Sequence, residues 1–268
     1  MQKATVSEIA VERIENVLRI QFNRPERKNT MTMHMYSTRA TLLNSAARDD
    51  ATRVMLVRGA DDAFSAGDDL GDFLHNPPKG CDSPQARCIT ALIEFDKPLI
   101  AAVPGVAIGE GGIVLTHFDF AYAAEATRFQ LPYVNLVLVP ELGTSYWLPS
   151  QIGYLGAAHL FLMEQPFDAR RATEPGLVMR VVAEADLTAT ALDTARRLTR
   201  QPAGAARASK RLMTRGLGPQ MAAAAELEIP EYASRLQSGE AREAITAFFE
   251  KPRADFTKSI TAPQGPRL

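Results

Sequence analysis

The chain has 268 residues, a formal net charge of -1, 46% hydrophobic residues and 23% charged ones. That is the composition of a globular protein with one sizeable core, and it gives no reason to expect nucleic acid or an anionic membrane as a partner. Cys81 and Cys88 are too few and too oddly spaced for a zinc motif or a disulfide framework, and no apolar run approaches the roughly 18 residues of a membrane span. The N-terminus lacks a signal-peptide profile and the final Pro-Arg-Leu is not a Ser-Lys-Leu address, so a reducing, cytoplasmic setting is expected.

Residues 6–13 and 17–23 alternate apolar and polar side chains around Glu15-Asn16, a hairpin signal. A polar loop follows at 23–29. Thr32 is placed to cap a helix whose Met33, Tyr36, Ala40, Leu43 and Ala47 fall on one face. The run 54–57 reads as a buried strand. It leads into a loop, 59–70, that opens another helix. After a turn at 76–80, residues 86–95 read as helix.

The stretch 97–123 is predicted as strand, turn, short buried helix and strand. Its apolar run 99–103 is stopped by Pro104-Gly105, and a glycine cluster follows at Gly109, Gly111 and Gly112. Beyond it come Phe129-Gln130-Leu131-Pro132, a helix containing Tyr146 and Trp147, a further helix at 156–163 and a short strand at 178–182. From residue 186 onward the pattern is helical: 187–200, 203–215, 219–236 and 239–250. Such a tail needs the core or a neighbouring subunit to pack on. Residues 261–268 read as a loose end. The alternation of strand and helix argues for an α/β fold with covered sheets.

The glycine cluster gives neither G-x-G-x-x-G nor a P-loop. Gly143-Thr144-Ser145-Tyr146-Trp147 has Trp where a nucleophile elbow needs Gly. His34, His75, His117 and His159 fall at no metal spacing. Asp68-Asp69 reads as a helix cap before an acid/base pair. What remains is two turn-plus-helix starts, at Ala66-Gly67 and at 109–112, and a lone carboxylate after a proline, Glu141. Two backbone amides from separate loops can hold an oxyanion, and a carboxylate nearby can move protons. A Glu after Pro is also an ordinary first-turn residue of a helix.

Several ordered motifs resemble the crotonase, or enoyl-CoA hydratase/isomerase, superfamily. They are Asn23-Arg24-Pro25, Phe64-Ser65-Ala66-Gly67-Asp68-Asp69-Leu70, Lys97-Pro98-Leu99-Ile100-Ala101-Ala102-Val103-Pro104-Gly105, Ala107-Ile108-Gly109, Phe129-Gln130-Leu131-Pro132 and Ser209-Lys210. The resemblance covers about residues 6–255. It implies an α/β crotonase-type spiral of ββα units, with residues 1–200 as the acyl-CoA-binding core. It also implies a C-terminal helical trimerisation region, 201–268, giving a homotrimer or a dimer of trimers.

The implied ligand is an acyl-CoA, with coenzyme A as part of the substrate and no separate cofactor or metal. Its thioester oxygen would be held by the amides of Ala66 and Glu110. Arg24, Lys28 and the segment Ser65, Ala66, Asp68 and Leu70 would line the CoA nucleotide side. Gly109, Ile113, Tyr133 and Leu136 would also bind the substrate, Ile113 as an apolar wall, and Lys251 would reach the CoA phosphates.

The two glutamates of the hydratases are replaced here by Ile113 and Tyr133. Pro140-Glu141-Leu142-Gly143-Thr144-Ser145 looks instead like the motif of the Δ3,Δ2-enoyl-CoA isomerase branch, whose single catalytic glutamate stands where Glu141 does. The implied activity is isomerisation of 3-enoyl-CoA to 2-enoyl-CoA. Hydration with a relocated base and non-catalytic acyl-CoA binding are the alternatives.

Overall fold

The computed structural model describes residues 7–60, 62–78 and 80–250. Strands β1 (Ile9–Ile14) and β2 (Val17–Phe22) form the expected antiparallel hairpin, and Glu15 turns it with φ 53°. Thr32 accepts a hydrogen bond from the Met35 amide and starts helix α1 (Met33–Arg48). Its buried face is Met35, Tyr36, Arg39, Ala40, Leu43 and Ala46. The stripe therefore includes a buried arginine, and Met33 and Ala47 sit at its margin.

Strand β3 (Val54–Gly59) lies parallel to β2. Helix α2 (Leu70–His75) is capped by the Asp69 carboxylate, and α3 (Pro84–Glu94) by Ser83 with Pro84 in its first turn, as cap chemistry favours. Strand β4 (Leu99–Val103) is buried at every position. After Pro104-Gly105 the chain adds β5 (Val106–Ile108), then the single turn α4 (Glu110–Ile113), then β6 (Phe120–Ala124) and β7 (Arg128–Gln130). Strand β5 was not expected, because Pro-Gly reads as an end and three residues show no period.

Helix α5 (Thr144–Ala158) is broken at Gly153 (φ 74°, ψ 163°) and runs on into a wider π-helical turn at His159–Met163. The break at Gly153 separates the helix containing Tyr146 and Trp147 from the second expected one, which continues through His159–Met163. Short strands β8 (Phe167–Asp168) and β9 (Arg180–Val182) precede helices α6 (Leu187–Thr199), α7 (Ala203–Thr214), α8 (Gly218–Leu236) and α9 (Gly239–Glu250).

The strands form a six-stranded sheet, β1-β2-β3-β4-β6-β9, parallel after the hairpin, and a three-stranded sheet, β5-β7-β8. Both faces of the larger sheet are covered, as parallel strands require. On one face Leu187, Ala191 and Ala195 of α6 pack on Val17, Val54, Leu56, Ile100, Ala102 and Tyr122. On the other, α1 and α3 share the main core with Met221, Ala225, Ile229, Tyr232 and Leu236 of α8. Burying a Leu or Ile side chain contributes about 1.5–3 kcal/mol, so α8 is held by this same core. The mixed α/β architecture is the one the motifs implied.

Candidate active site

Two loops meet beside α4. The Ser65 carbonyl accepts from the Ile108 amide at 2.9 Å, and its hydroxyl accepts from the Gly67 amide at 3.1 Å. Gly67 has φ +89°, and a Cβ there would lie 2.8 Å from the Ile108 carbonyl oxygen and 3.6 Å from the Glu110 nitrogen. Only glycine combines that dihedral with that approach. Gly109 then turns the chain into α4.

The supply of free amides differs from the expectation. The Ala66 amide donates to the Lys28 carbonyl at 2.9 Å, so it is not available to a ligand. The Asp69 amide is likewise used, by the Met31 carbonyl at 2.9 Å. Between them, the Asp68 amide meets no acceptor among the described residues, and neither does that of Glu110, the first residue of α4. The available pair is therefore Asp68 and Glu110. The parallel bridge between Met31 and Asp68 explains why: its hydrogen bonds use the Gly67 carbonyl and the Asp69 amide, on either side, and leave the Asp68 amide pointing away.

Two buried carboxyl groups, Glu110 and Glu141, and a half-buried one, Asp68, surround these loops. Asp68 accepts from Tyr36 Oη and from Tyr232 Oη, each at 2.6 Å. Burial raises its pKa to about 6 against the pull of both hydroxyls. Glu110 is buried with its Oε1 2.6 Å from Arg39 Nη2. Glu141 accepts from Gln85 Nε2 at 2.6 Å and more distantly from Tyr133 Oη at 3.5 Å. Burial, then the negative charges of Asp68 and Glu110, push Glu141 well above the ordinary carboxylate range; the Gln85 hydrogen bond pulls the other way.

The chain around Glu141 is fixed from several directions. His117 Nε2 lies 3.0 Å from the Leu142 carbonyl, and burial holds this imidazole's pKa down at about 4. It is therefore neutral near pH 7, and Nε2 donates. The Glu228 carboxylate of α8 accepts from the amides of Gly143 at 2.6 Å and Ser145 at 2.8 Å. Thr144 donates its amide, at 3.1 Å, and its hydroxyl, at 2.5 Å, to the Glu141 carbonyl. On the approach, the Glu164 carboxylate caps the turn Val134–Leu136 through the amides of Val134 and Asn135.

The other expected contacts divide. The Arg24 guanidinium is committed within the chain, to Glu8 at 3.1 Å, Asp69 at 3.0 Å and the Thr30 carbonyl at 2.7 Å. These contacts latch the 24–30 loop onto the start of α2. Lys28 is exposed and pairs with Asp62. Leu70, Ile113 and Tyr133 are buried in the main core, with Leu136 packed against it. Lys251 lies outside the described residues.

Sequence reasoning missed Gln85, Arg39, Tyr232 and Glu228. Arg39 had a signal, a charge within the apolar stripe of α1, which requires a buried partner. Gln85, Tyr232 and Glu228 had none, since nothing local records which loop a distant helix faces.

A family model described as enoyl-CoA hydratase/isomerase matches residues 12–259. The chain is 31% identical over 245 residues to enoyl-CoA delta isomerase 2 of Rattus norvegicus, covering 88% of this chain and 62% of that protein, so it spans less than two thirds of that relative. It is 30% identical over 250 residues to 1,2-epoxyphenylacetyl-CoA isomerase of Escherichia coli strain K12, covering 91% of this chain and 95% of the other. Relatives named as hydratases match at a similar 29%. Among solved structures, OdaA of Pseudomonas aeruginosa superposes with a TM-score of 0.88 at 38% identity, over 91% of this chain and 99% of that one. With its fold, its loop pair and these matches agreeing, the chain belongs to the enoyl-CoA hydratase/isomerase family of acyl-CoA-processing crotonase enzymes.

Proposed function

We propose that the protein isomerises 3-enoyl-CoA to 2-enoyl-CoA, with Glu141 as the single proton carrier. The thioester oxygen accepts hydrogen bonds from the amides of Asp68 and Glu110. Glu141 removes a proton alpha to the carbonyl, a dienolate forms, and Glu141 returns the proton at the gamma carbon. Oxyanion-hole donors are typically worth about 3–4 kcal/mol each, so the amides lower the barrier and the glutamate moves the proton.

The observation that carries this reading is how the three carboxyl groups are held. Asp68 is gripped by two tyrosine hydroxyls and Glu110 faces a guanidinium. Glu141 has one close partner, the neutral Gln85. It alone is buried, raised in pKa and lightly held, as a general base near neutral pH requires. The absence of glutamate at Ile113 and Tyr133 argues the same way, and so does the isomerase name carried by two relatives.

Asp68 supports a second reading. A second carboxyl of raised pKa next to Glu141 is what two-carboxyl hydration would use. The two readings separate on one assay. An isomerase leaves a 2-enoyl-CoA largely unchanged, whereas a hydratase abolishes its enoyl absorbance. For the isomerase, Glu141→Gln is expected to lower kcat on 3-enoyl-CoA by about 10²–10⁴-fold with KM little changed. Full activity in that variant would refute the assignment.

We assign coenzyme A no cofactor role beyond being part of the substrate. Lys28, exposed on the 24–30 loop, and Lys251 are the cations proposed for its phosphates. Residues 201–268 are proposed to mediate a homotrimer, alone or paired, in the cytoplasm. What supports this is the apolar surface left open on these helices, at Leu212, Met213, Leu227, Phe248 and Phe249. Among the described residues, no helix is long and apolar enough to cross a membrane.

A further inference from the structure

Glu110 places a carboxylate on the very residue whose amide opens α4. That side chain is fully buried, with Oε1 2.6 Å from Arg39 Nη2. Arg39 is itself buried, its Nε 2.9 Å from Cys88 Sγ and its guanidinium carbon 5.0 Å from the centre of the Tyr36 ring. Tyr36 and Arg39 stand three residues apart on α1 and so share a face. From that face Tyr36 Oη reaches Asp68 and Arg39 reaches Glu110. One turn of α1 thus touches the side chains of both residues whose amides are free.

A pair of amides stabilises an oxyanion only where their surroundings do not oppose it. An unpaired carboxylate in a water-excluded site would oppose it strongly, because the low dielectric magnifies charge. An arginine stays charged under all ordinary conditions, so its neutralisation of Glu110 is permanent. A buried pair of this kind is not a good stability device, which leaves its position beside the hole as its distinguishing property.

We propose that Arg39 is a positioning residue for the oxyanion hole: braced on the Tyr36 ring, it neutralises Glu110 and fixes the start of α4 so that the Glu110 amide can polarise a thioester. This rests on the reading that the Asp68 and Glu110 amides receive the thioester oxygen, and the test separates the two.

A saturated acyl-CoA, hexanoyl-CoA carrying carbon-13 at the thioester carbonyl, has no double bond to move and reports polarisation directly. Bound to the wild-type chain, its carbonyl resonance is expected downfield of the free ligand. In Arg39→Met the displacement shrinks, and kcat on 3-enoyl-CoA falls at least about tenfold with KM within about twofold. Arg39→Met with Glu110→Gln removes both charges and restores most of the displacement, and Glu110→Gln alone keeps it at or above the double variant. Equal displacement in wild type and Arg39→Met overturns the proposal. Where Arg39→Met fails to fold, the other two variants decide: a smaller displacement in Glu110→Gln than in the double variant overturns it. No displacement in the wild type removes the hole itself, and this inference with it.

Discussion

Glu141 differs from Asp68 and Glu110 in what holds it. Asp68 is engaged by two hydroxyls and Glu110 lies against a guanidinium, so each carboxylate would have to give up close partners to act on a ligand. Glu141 accepts one close bond, from Gln85, and that bond offsets part of the rise that burial and the neighbouring carboxylates cause. Gln85 stabilises the ionised carboxylate, so it lowers the pKa; removing it raises the pKa further. The base works only when ionised. In Gln85→Leu the acid limb of the kcat profile is therefore expected to move to higher pH, with activity on the alkaline side retained. A pH-rate profile of the two enzymes checks this, and an unmoved or downward-moved limb would show that Gln85 does not face the working carboxylate.

Several of these residues were legible in the sequence, for a physical reason. Glu141 follows a proline at a helix start and Glu110 follows a glycine turn, and both features are local. The free amide of the 59–70 loop, expected at Ala66, lies at Asp68. Which amide of that loop is free depends on its bridge to Met31 and on the Lys28 carbonyl, more than thirty residues upstream.

Among the elements, α8 connects the C-terminal part of the chain to the turn that carries Glu141. Gly143 has φ +74°, and a Cβ there would lie 2.6 Å from the Met221 carbonyl oxygen, so α8 sits directly on this turn. Its Glu228 receives two amides at the start of α5, two and four residues beyond Glu141. Burial raises the pKa of Glu228, opposed by those hydrogen bonds. Glu228→Ala leaves both donors without an acceptor, which costs about 1–3 kcal/mol. It is expected to lower Tm and also kcat per folded molecule, since the turn carrying Glu141 loosens. Denaturant unfolding alongside a kcat measured on the folded fraction tests the two effects. An unchanged kcat would reduce Glu228 to a stability role.

The helical pattern of α8 was clear from its apolar spacing. Its partner was not, because a period tells which face is buried but not what covers it. The same limit applied to β5, where pairing with β7, rather than any local signal, makes three residues a strand.

Across the whole molecule, the large sheet is covered on both faces, and α8 closes the core over the loops that carry the free amides. Apolar side chains are still left at the surface beyond Gly153, at Tyr154, Leu155, Leu162 and Met163, and on α7 to α9. A surface of that kind marks an interaction site. Light scattering on the full chain is expected to give the mass of three chains or a multiple of three, and Phe248→Asp to shift it toward one. A single-chain mass at high protein concentration would contradict the proposed assembly.

The central claim is that one glutamate carries one proton from the alpha to the gamma carbon on a single face. Its most direct test follows the proton itself. A 3-enoyl-CoA deuterated at the alpha carbon is converted in ordinary water, and the product is analysed by mass spectrometry for deuterium at the gamma carbon. A buried Glu141 that shuttles the proton predicts substantial transfer of the label to the gamma carbon. Product formed with the gamma position wholly unlabelled would mean that separate groups remove and return the proton, and would contradict the mechanism.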